Sequence, residues 1–269
     1  MKTDLIYGVE DRPPFKDALF AALQHLLAIF VAIITPPLII AGALKLDVEK
    51  TSFLVSMSLF ASGVSTFIQC RRIGPIGARL LCIQGTSFSF IGPIIATGLP
   101  LIFGSCIAAA PIEMVVSRTF KYLRNIITPL VSGIVVLLIG LSLIKVGIVS
   151  CGGGYSAMDD GSFGSWENLS IAALVLLSVL FFNRCKNKYL RMSSIVFGLC
   201  LGYGLAFALG KVNMSALNVE MLMSFNIPQP FKYGVDFNIS SFIAIGLVYL
   251  ITAIEATGDV TANSMISGL

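Results

Sequence analysis

The chain has 269 residues, of which 56% are hydrophobic and only 12% are charged, and its formal net charge is +4. A soluble protein of this length carries about 25% charged residues, because these cover its water-facing surface. The composition therefore argues against a soluble enzyme, a nucleic-acid-binding protein and a disordered scaffold, and it predicts an all-α polytopic membrane protein.

Eight apolar stretches are candidates for membrane-spanning helices, each of which needs about 20 mainly apolar residues. The predicted spans are 17–44, 51–70, 78–97, 99–117, 126–148, 169–183, 193–210 and 238–265. In this arrangement 13 of the 18 Lys and Arg residues fall on one side of the membrane. Because basic residues accumulate in cytoplasmic loops, the pattern predicts a cytoplasmic N-terminus.

Span 1 contains Gln24 followed by His25, the only histidine of the chain. One interpretation is structural, with the two side chains forming hydrogen bonds between helices. The other is functional, with the pair lining or supporting a binding pocket, where a histidine can titrate near neutral pH. The sequence by itself favours the structural interpretation.

Span 3 reads RLLCIQGTSFSFIGPIIATG and is interrupted by small polar residues and by Gly92 and Pro93. Irregular backbone at membrane depth is tolerated only where it is buried in protein or lines a cavity. Phe88 and Phe90 alternate with small polar residues, as in a short extended segment with a stacking face. The pattern predicts a broken span, with a binding site or an ordinary Gly/Pro kink as alternative interpretations.

Span 8 carries two carboxylates, Glu255 and Asp259, four residues apart and therefore on one helical face. Two such groups repel each other when both are ionised, which suits proton coupling or the binding of a donor-rich substrate. The alternative is a solvated Asp259 near the membrane surface. Glu113 in span 4 precedes Arg118 by five residues, and we interpret it as solvated or structurally paired.

The remaining pattern predicts no catalytic, metal or cofactor site. Spans 5 to 7 contain small residues and no ionisable group at mid-depth, which is typical of a structural frame. The six cysteines show no C-x-x-C spacing, and the chain has no zinc motif, Walker motif or nucleophile elbow. The sequence therefore predicts a protein that is not an enzyme.

Seven stretches together resemble the nucleobase–ascorbate transporter family of purine and pyrimidine permeases, and its bacterial xanthine permeases most. They are EDRPPF (10–15), QHLLAIFVAIITP (24–36), SMSLFASGVSTFIQ (56–69), IQGTSFSF (83–90), ITPLVSGIVVLLIGLSLIKVG (127–147), CGGGYSAM (151–158) and IEATGDVTA (254–262). The resemblance implies a fold of fourteen spans in two inverted seven-span repeats. Residues 1–125 would then form half of a core domain, 126–235 half of a gate domain, and 236–269 the start of the second core half.

The resemblance also implies roles for individual residues. Glu255 would hydrogen-bond the base, with Asp259 as the acidic position one turn on. Phe88 would stack on the base, Ser87 would contribute to selectivity, and Gln24 and His25 would support the site. The remaining acidic and signature positions of the family would lie beyond Leu269, so the resemblance predicts the N-terminal portion of a permease, truncated after span 8.

The implied function is proton-coupled uptake of a purine base, xanthine, across the bacterial inner membrane by alternating access. No cofactor is implied beyond the coupling proton, and the gate domain would form a homodimer. Three alternatives stay open: a permease for uracil, uric acid or guanine; an anion or sulfate carrier of the same architecture; and a fragment that transports nothing.

Overall fold

The computed structural model describes residues 7–8, 10–123, 129–187, 190–191, 193–212, 227–229 and 231–267. In these ranges the chain is nearly all helical, and its only ladder pairing is an isolated bridge between Ile73 and Ile76. The helices are α1 (Phe15–Ala43), α2 (Val48–Arg71), the 3-10 helix η1 (Phe88–Phe90), α3 (Ile91–Thr97), α4 (Leu99–Leu123), α5 (Pro129–Cys151), α6 (Gly154–Asp159), α7 (Trp166–Asn183), α8 (Ser194–Ala208) and α9 (Ile239–Ile266).

Five helical segments in the described ranges are long and apolar enough to cross a membrane. They are Phe15–Ala43, Val48–Arg71, Leu99–Thr119, Trp166–Asn183 and Ile239–Thr261. Two shorter apolar segments, Phe88–Thr97 and Ser194–Ala208, accompany them. The prediction of an all-α polytopic membrane protein is confirmed, while the count of eight spans and the inverted repeat stay predictions.

Local sequence explains where α2 begins and where span 3 is broken. Asp47 caps α2, because its side chain accepts a hydrogen bond from the backbone N–H of Lys50 at 2.8 Å. Hydrogen bonding to Lys50 also lowers the pKa of Asp47 below its ordinary value. After Arg71 the helical conformation does not resume until Phe88, so residues 81–87 cross the third predicted span without regular secondary structure.

The extended conformation predicted at Phe88 and Phe90 is wrong, since both belong to η1. Gly92 and Pro93 do not interrupt the span either, because they lie in the first turn of α3, where proline is tolerated.

The described chain divides into two compact units. The first comprises residues 1–12, 36–144 and 228–269, and the second comprises 13–35 and 145–227. In the first unit α4 packs against α9, with Ala109 and Ile245 completely buried between them. Gly104 permits a close approach there, since a Cβ at that position would overlap the backbone carbonyl of Asp236.

The second unit is held together by packing between α7 and α8. Gly198 and Gly202 of α8 face Val175 and Val179 of α7, in the space that a larger side chain would occupy. Small residues let helix backbones approach closely, and this is how helices associate where lipid removes the hydrophobic driving force. The division into 1–125, 126–235 and 236–269 that the resemblance implies stays a prediction.

Candidate binding site

The irregular segment 81–87 is held against α2 by polar side chains. The backbone N–H of Gln84 donates to Thr66 Oγ1 at 2.9 Å, and the hydroxyl of Ser62 donates to the Gln84 carbonyl. Backbone groups outside a helix need such partners, because an unsatisfied N–H or C=O at membrane depth costs several kcal/mol. Thr66 and Ser62 therefore make the break in this span possible.

Helix α9 holds the other side of the same segment. Asn263 Nδ2 donates to the carbonyl oxygen of Leu81 at 2.8 Å. Six residues further along, the hydroxyl of Ser87 donates to Glu255 Oε2 at 3.4 Å, and Ser87 also accepts the backbone N–H of Ser89 at 3.3 Å as the N-cap of η1. The break in span 3 and the acidic face of α9 are therefore in direct contact.

A cavity of about 480 Å³ lies between these elements. Its volume falls within the range of roughly 300–1,000 Å³ that small-molecule sites occupy. The lining residues are Gln69, Cys82, Ile83, Gln84, Gly85, Thr86, Ser87, Phe90, Glu113, Tyr249, Thr252, Glu255, Ala256, Asp259 and Val260. The cavity thus combines carboxylates, hydroxyls and two amides with two aromatic rings.

The charged groups of this cavity are all acidic. Glu113, Glu255 and Asp259 line it, and no Lys or Arg is among its described lining residues. Among the described residues, no ion pair is formed with Glu113 or Glu255. Such a site favours a ligand that offers N–H donors or a proton, because both complement a carboxylate that has no cationic partner.

An aromatic pair forms the apolar part of the wall. Phe90 and Tyr249 meet edge to face, with ring centroids 5.4 Å apart and an angle of 75° between the ring planes. This is a preferred geometry for aromatic rings, and it fixes the position of Phe90 at the start of α3. The described part of the chain contains no group of three or more His, Cys, Asp or Glu side chains suited to a metal ion.

The structure brings together three of the residues predicted from the sequence, namely Ser87, Glu255 and Asp259. Phe88 begins η1 but is not among the described lining residues, where Phe90 stands instead, so stacking by Phe88 stays a prediction. The side chain of Gln24 lies outside the described residues, and His25 is an exposed residue of the second unit. The role of this pair at the site also stays a prediction.

Two lining residues were not anticipated from the sequence. Glu113, interpreted above as solvated or structurally paired, is half-buried on the cavity wall, and Tyr249 lies opposite Phe90. For Glu113 the available signal was the general rule that a carboxylate inside a span is functional. For Tyr249 the signal was weak, since an aromatic residue in an apolar helix is ordinary.

Comparison with known proteins identifies the class first. A helical membrane protein whose broken span faces an acidic helix across a polar cavity has the features of a secondary transporter. The family model Xan_ur_permease, described as a permease family, matches residues 16–269, and the chain belongs to that family. It is therefore a transporter-family protein rather than an enzyme, and the resemblance inferred from the sequence is confirmed.

The chain is similar in sequence to several particular permeases. The xanthine permeases XanQ and XanP of Escherichia coli (strain K12) are each 46% identical over 98% of this chain, which covers 59% and 60% of their own lengths. The uric acid permease PucJ of Bacillus subtilis (strain 168) is 34% identical over 92% of the chain and 56% of its own length. The chain thus spans about three-fifths of the length of these curated relatives.

Proposed function

We propose that the protein takes up a purine base, xanthine, together with a proton across the bacterial inner membrane by alternating access. The observation that carries the proposal is the contact between Ser87 and Glu255, with a distance of 3.4 Å, in the wall of an acidic cavity. The 46% identity to the two E. coli xanthine permeases supports xanthine as the base.

The chemistry of the cavity suits an oxopurine. Xanthine is flat, donates through its ring N–H groups and accepts through its carbonyl oxygens. Glu255 would accept N–H donors, and hydrogen bonds to an ionised acceptor are about twice as strong as neutral ones. The non-helical segment at Gln84–Ser87 would supply donors to the carbonyl oxygens, and Phe90 would cover a ring face.

The proton would be handled by the two carboxylates of α9. Glu255 and Asp259 lie one helical turn apart on the wall of the same cavity, and the coupling proton would reside on this pair. One proton on this pair would permit the base to bind while the other carboxylate stays charged and accepts its N–H groups, and release of base and proton to the cytoplasm would follow. Gln24 and His25 would support this site and Phe88 would stack on the base, as the resemblance implies.

We also propose how the domains of the transporter would move. Residues 1–125 and 236–269 would form the core that carries the substrate, and 126–235 the gate and homodimer contact. The N-terminus would lie in the cytoplasm. Helices of one domain moving against the other would expose the cavity to each side in turn.

A second cargo is favoured by one specific finding, the similarity to the uric acid permease PucJ. Competition by uric acid, guanine and uracil against labelled xanthine would rank these bases. An anion or sulfate carrier fits the cavity poorly, since Glu113, Glu255 and Asp259 would repel an anion. Accumulation of labelled xanthine in sealed vesicles, which requires transport and not binding alone, would distinguish a fragment without transport activity.

The test is binding of tritium-labelled xanthine to the purified chain in lipid nanodiscs, before and after Glu255→Gln. The variant keeps the shape of the side chain and loses the charged acceptor. A hydrogen bond to a charged group contributes about 1.5–3 kcal/mol. We therefore expect binding to weaken by roughly 10- to 100-fold.

The matched control is Glu167→Gln, which removes a carboxylate that pairs with Lys211 at 2.8 Å and does not line the cavity. This variant should bind xanthine as the unchanged chain does. Equal binding by the Glu255→Gln variant, with its helical content preserved, would overturn the proposal. Absence of binding by the unchanged chain would overturn it as well.

A further inference from the structure

A second cavity in the first unit has no part in the function proposed above. It has a volume of about 590 Å³ and lies between α2, the start of α4 and the segment that precedes α9. We call it the aromatic vestibule and define it by Phe53, Phe103, Lys232 and Tyr233. The vestibule shares Gly85 and Thr86 with the candidate binding site, so a single stretch of irregular backbone separates the two cavities.

Three aromatic rings of the vestibule hold one another in place. The ring of Tyr233 lies parallel to that of Phe103, with centroids 6.0 Å apart and 9° between the planes. The same ring meets Phe53 edge to face at 5.8 Å. The Tyr233 hydroxyl donates to the carbonyl of Lys50 at 3.4 Å, and burial raises the pKa of this phenol, which keeps it protonated. The rings are therefore ordered before a ligand arrives.

Lys232 places a positive charge in the vestibule, and among the described residues only one distant carboxylate, that of Glu49, pairs with it. Its ammonium group lies 4.1 Å above the centroid of the Phe53 ring, a cation–π contact. Its ion pair with Glu49 is long, at 3.8 Å, and the Glu49 side chain is 82% exposed. Exposed pairs of this kind contribute little, so the ammonium group remains able to attract carbonyl oxygens or an anionic ring.

The vestibule and the candidate binding site share a wall, but their lining residues carry charges of opposite sign. The candidate binding site is lined by carboxylates, whereas the vestibule has a cation and stacked rings. The vestibule also lies beside the beginnings of α2, α4 and α9, the ends that the sequence assigns to the outer side of the membrane. A ligand arriving from outside would therefore reach the vestibule before the cavity of Glu255.

We propose that the aromatic vestibule is a second binding site for flat, carbonyl-bearing heteroaromatic bases of the oxopurine class. The base would stack on the aromatic rings that line the vestibule and direct its oxygens toward Lys232. From there it would pass Gly85 and Thr86 into the candidate binding site. The class of ligand rests on the proposed function, while the existence of the second site rests on the geometry of the vestibule alone.

A fluorescent reporter in the vestibule detects binding there separately from binding at the candidate binding site. Trp166 is the only tryptophan and lies outside the vestibule. The double variant Trp166→Phe, Tyr233→Trp would carry one indole, placed in the vestibule, and stacking of xanthine on it should quench its fluorescence. Free tryptophan amide at the same xanthine concentrations corrects for absorption by the base.

Two further substitutions in that double variant decide the proposal. Glu255→Gln should leave the quenching intact, because the indole reports a site that does not contain Glu255. Lys232→Met should raise the Kd for xanthine, measured from the quenching titration, by roughly tenfold, in line with the loss of one charge-assisted contact. Lys145→Met is the matched control, since it removes the same charge from an exposed residue that does not line the vestibule, and it should have no effect.

The outcomes separate this proposal from the proposed function. Quenching that survives Glu255→Gln and is weakened by Lys232→Met supports the vestibule, even if labelled xanthine fails to bind at Glu255. Quenching that disappears with Glu255→Gln, or that lipid alone produces, overturns the vestibule and leaves the proposed function standing. If Tyr233→Trp prevents folding, the binding stoichiometry of the Glu255→Gln variant decides: one xanthine molecule per chain is expected, bound in the vestibule, and none would overturn the proposal.

Discussion

Thr66 is a single hydroxyl residue that allows span 3 to be broken. Its Oγ1 accepts the backbone N–H of Gln84, a donor that a continuous helix would have satisfied internally. The same residue type behaves differently in α4, where Thr119 donates to the carbonyl of Val115 in its own helix. The contribution of a threonine to stability in this protein therefore depends on whether the backbone group bonded to its hydroxyl has another hydrogen-bond partner.

We predict that Thr66→Val destabilises the chain by about 1–3 kcal/mol, because the replacement has the same shape and leaves a half-buried N–H without an acceptor. Thr66→Ser, which restores the hydroxyl, should recover most of this loss. Thr119→Val is the control and should change stability by less than about 0.5 kcal/mol. Thermal unfolding in detergent, followed by circular dichroism, measures all three, and equal effects at positions 66 and 119 would contradict the prediction.

Helices α4 and α9 position the candidate binding site through close packing of small residues. Gly104 of α4 lies against the backbone of Asp236, just before α9 begins, and Ala109 and Ile245 are buried between the two helices. Glu113 follows Ala109 by one turn on α4 and reaches the cavity shared with Glu255. The spacing between these helices therefore sets the distance between their carboxylates.

We predict that Gly104→Ala destabilises the first unit by about 1–3 kcal/mol, because the new methyl group would overlap the Asp236 carbonyl. By the proposed function, xanthine binding should weaken as well, since α9 would be displaced from the segment at Ser87. Gly140→Ala in α5 is the control, because a Cβ there meets open space, and it should be neutral or slightly stabilising. A stable Gly104→Ala variant with normal binding would show that the contact is unimportant.

The distribution of basic residues predicts the orientation of the molecule in the membrane. The predicted arrangement places the connection after α5 outside the cell and the connection after α7 in the cytoplasm. Each connection has a native cysteine at its edge: Cys151 ends α5, and Cys185 lies two residues after α7. Neither cysteine forms a disulfide.

We predict that a membrane-impermeant maleimide labels Cys151 but not Cys185 in intact spheroplasts. Two variants are compared, each retaining one of these cysteines, with the other five replaced by serine. Permeabilised spheroplasts are the control, in which both cysteines should react. Labelling of Cys185 in intact spheroplasts, with Cys151 protected, would reverse the proposed orientation.

Patterns along the chain were sufficient to predict the class of protein and the places where it departs from regular structure. Low charge and long apolar stretches indicate a membrane protein because lipid accepts only apolar surface. Small polar residues indicate a broken span, and the structure has the break over 81–87, whereas Gly92 and Pro93 lie within α3. The four-residue spacing of Glu255 and Asp259 places both on one face, since this spacing is a property of the helix itself.

Tertiary structure alone decided which partners those faces meet. Ser87 and Glu255 are 168 residues apart, and helical periodicity says which way a side chain points without saying what stands opposite. The same limit applies to Glu113 and Tyr249, and to Phe90, which lines the cavity where Phe88 does not. The sequence by itself determined a helical membrane protein of a permease family, with one broken span and with two carboxylates on one helical face. The close packing of α4 on α9 decided which residues surround its cavity, because contacts between distant segments depend on the complete fold.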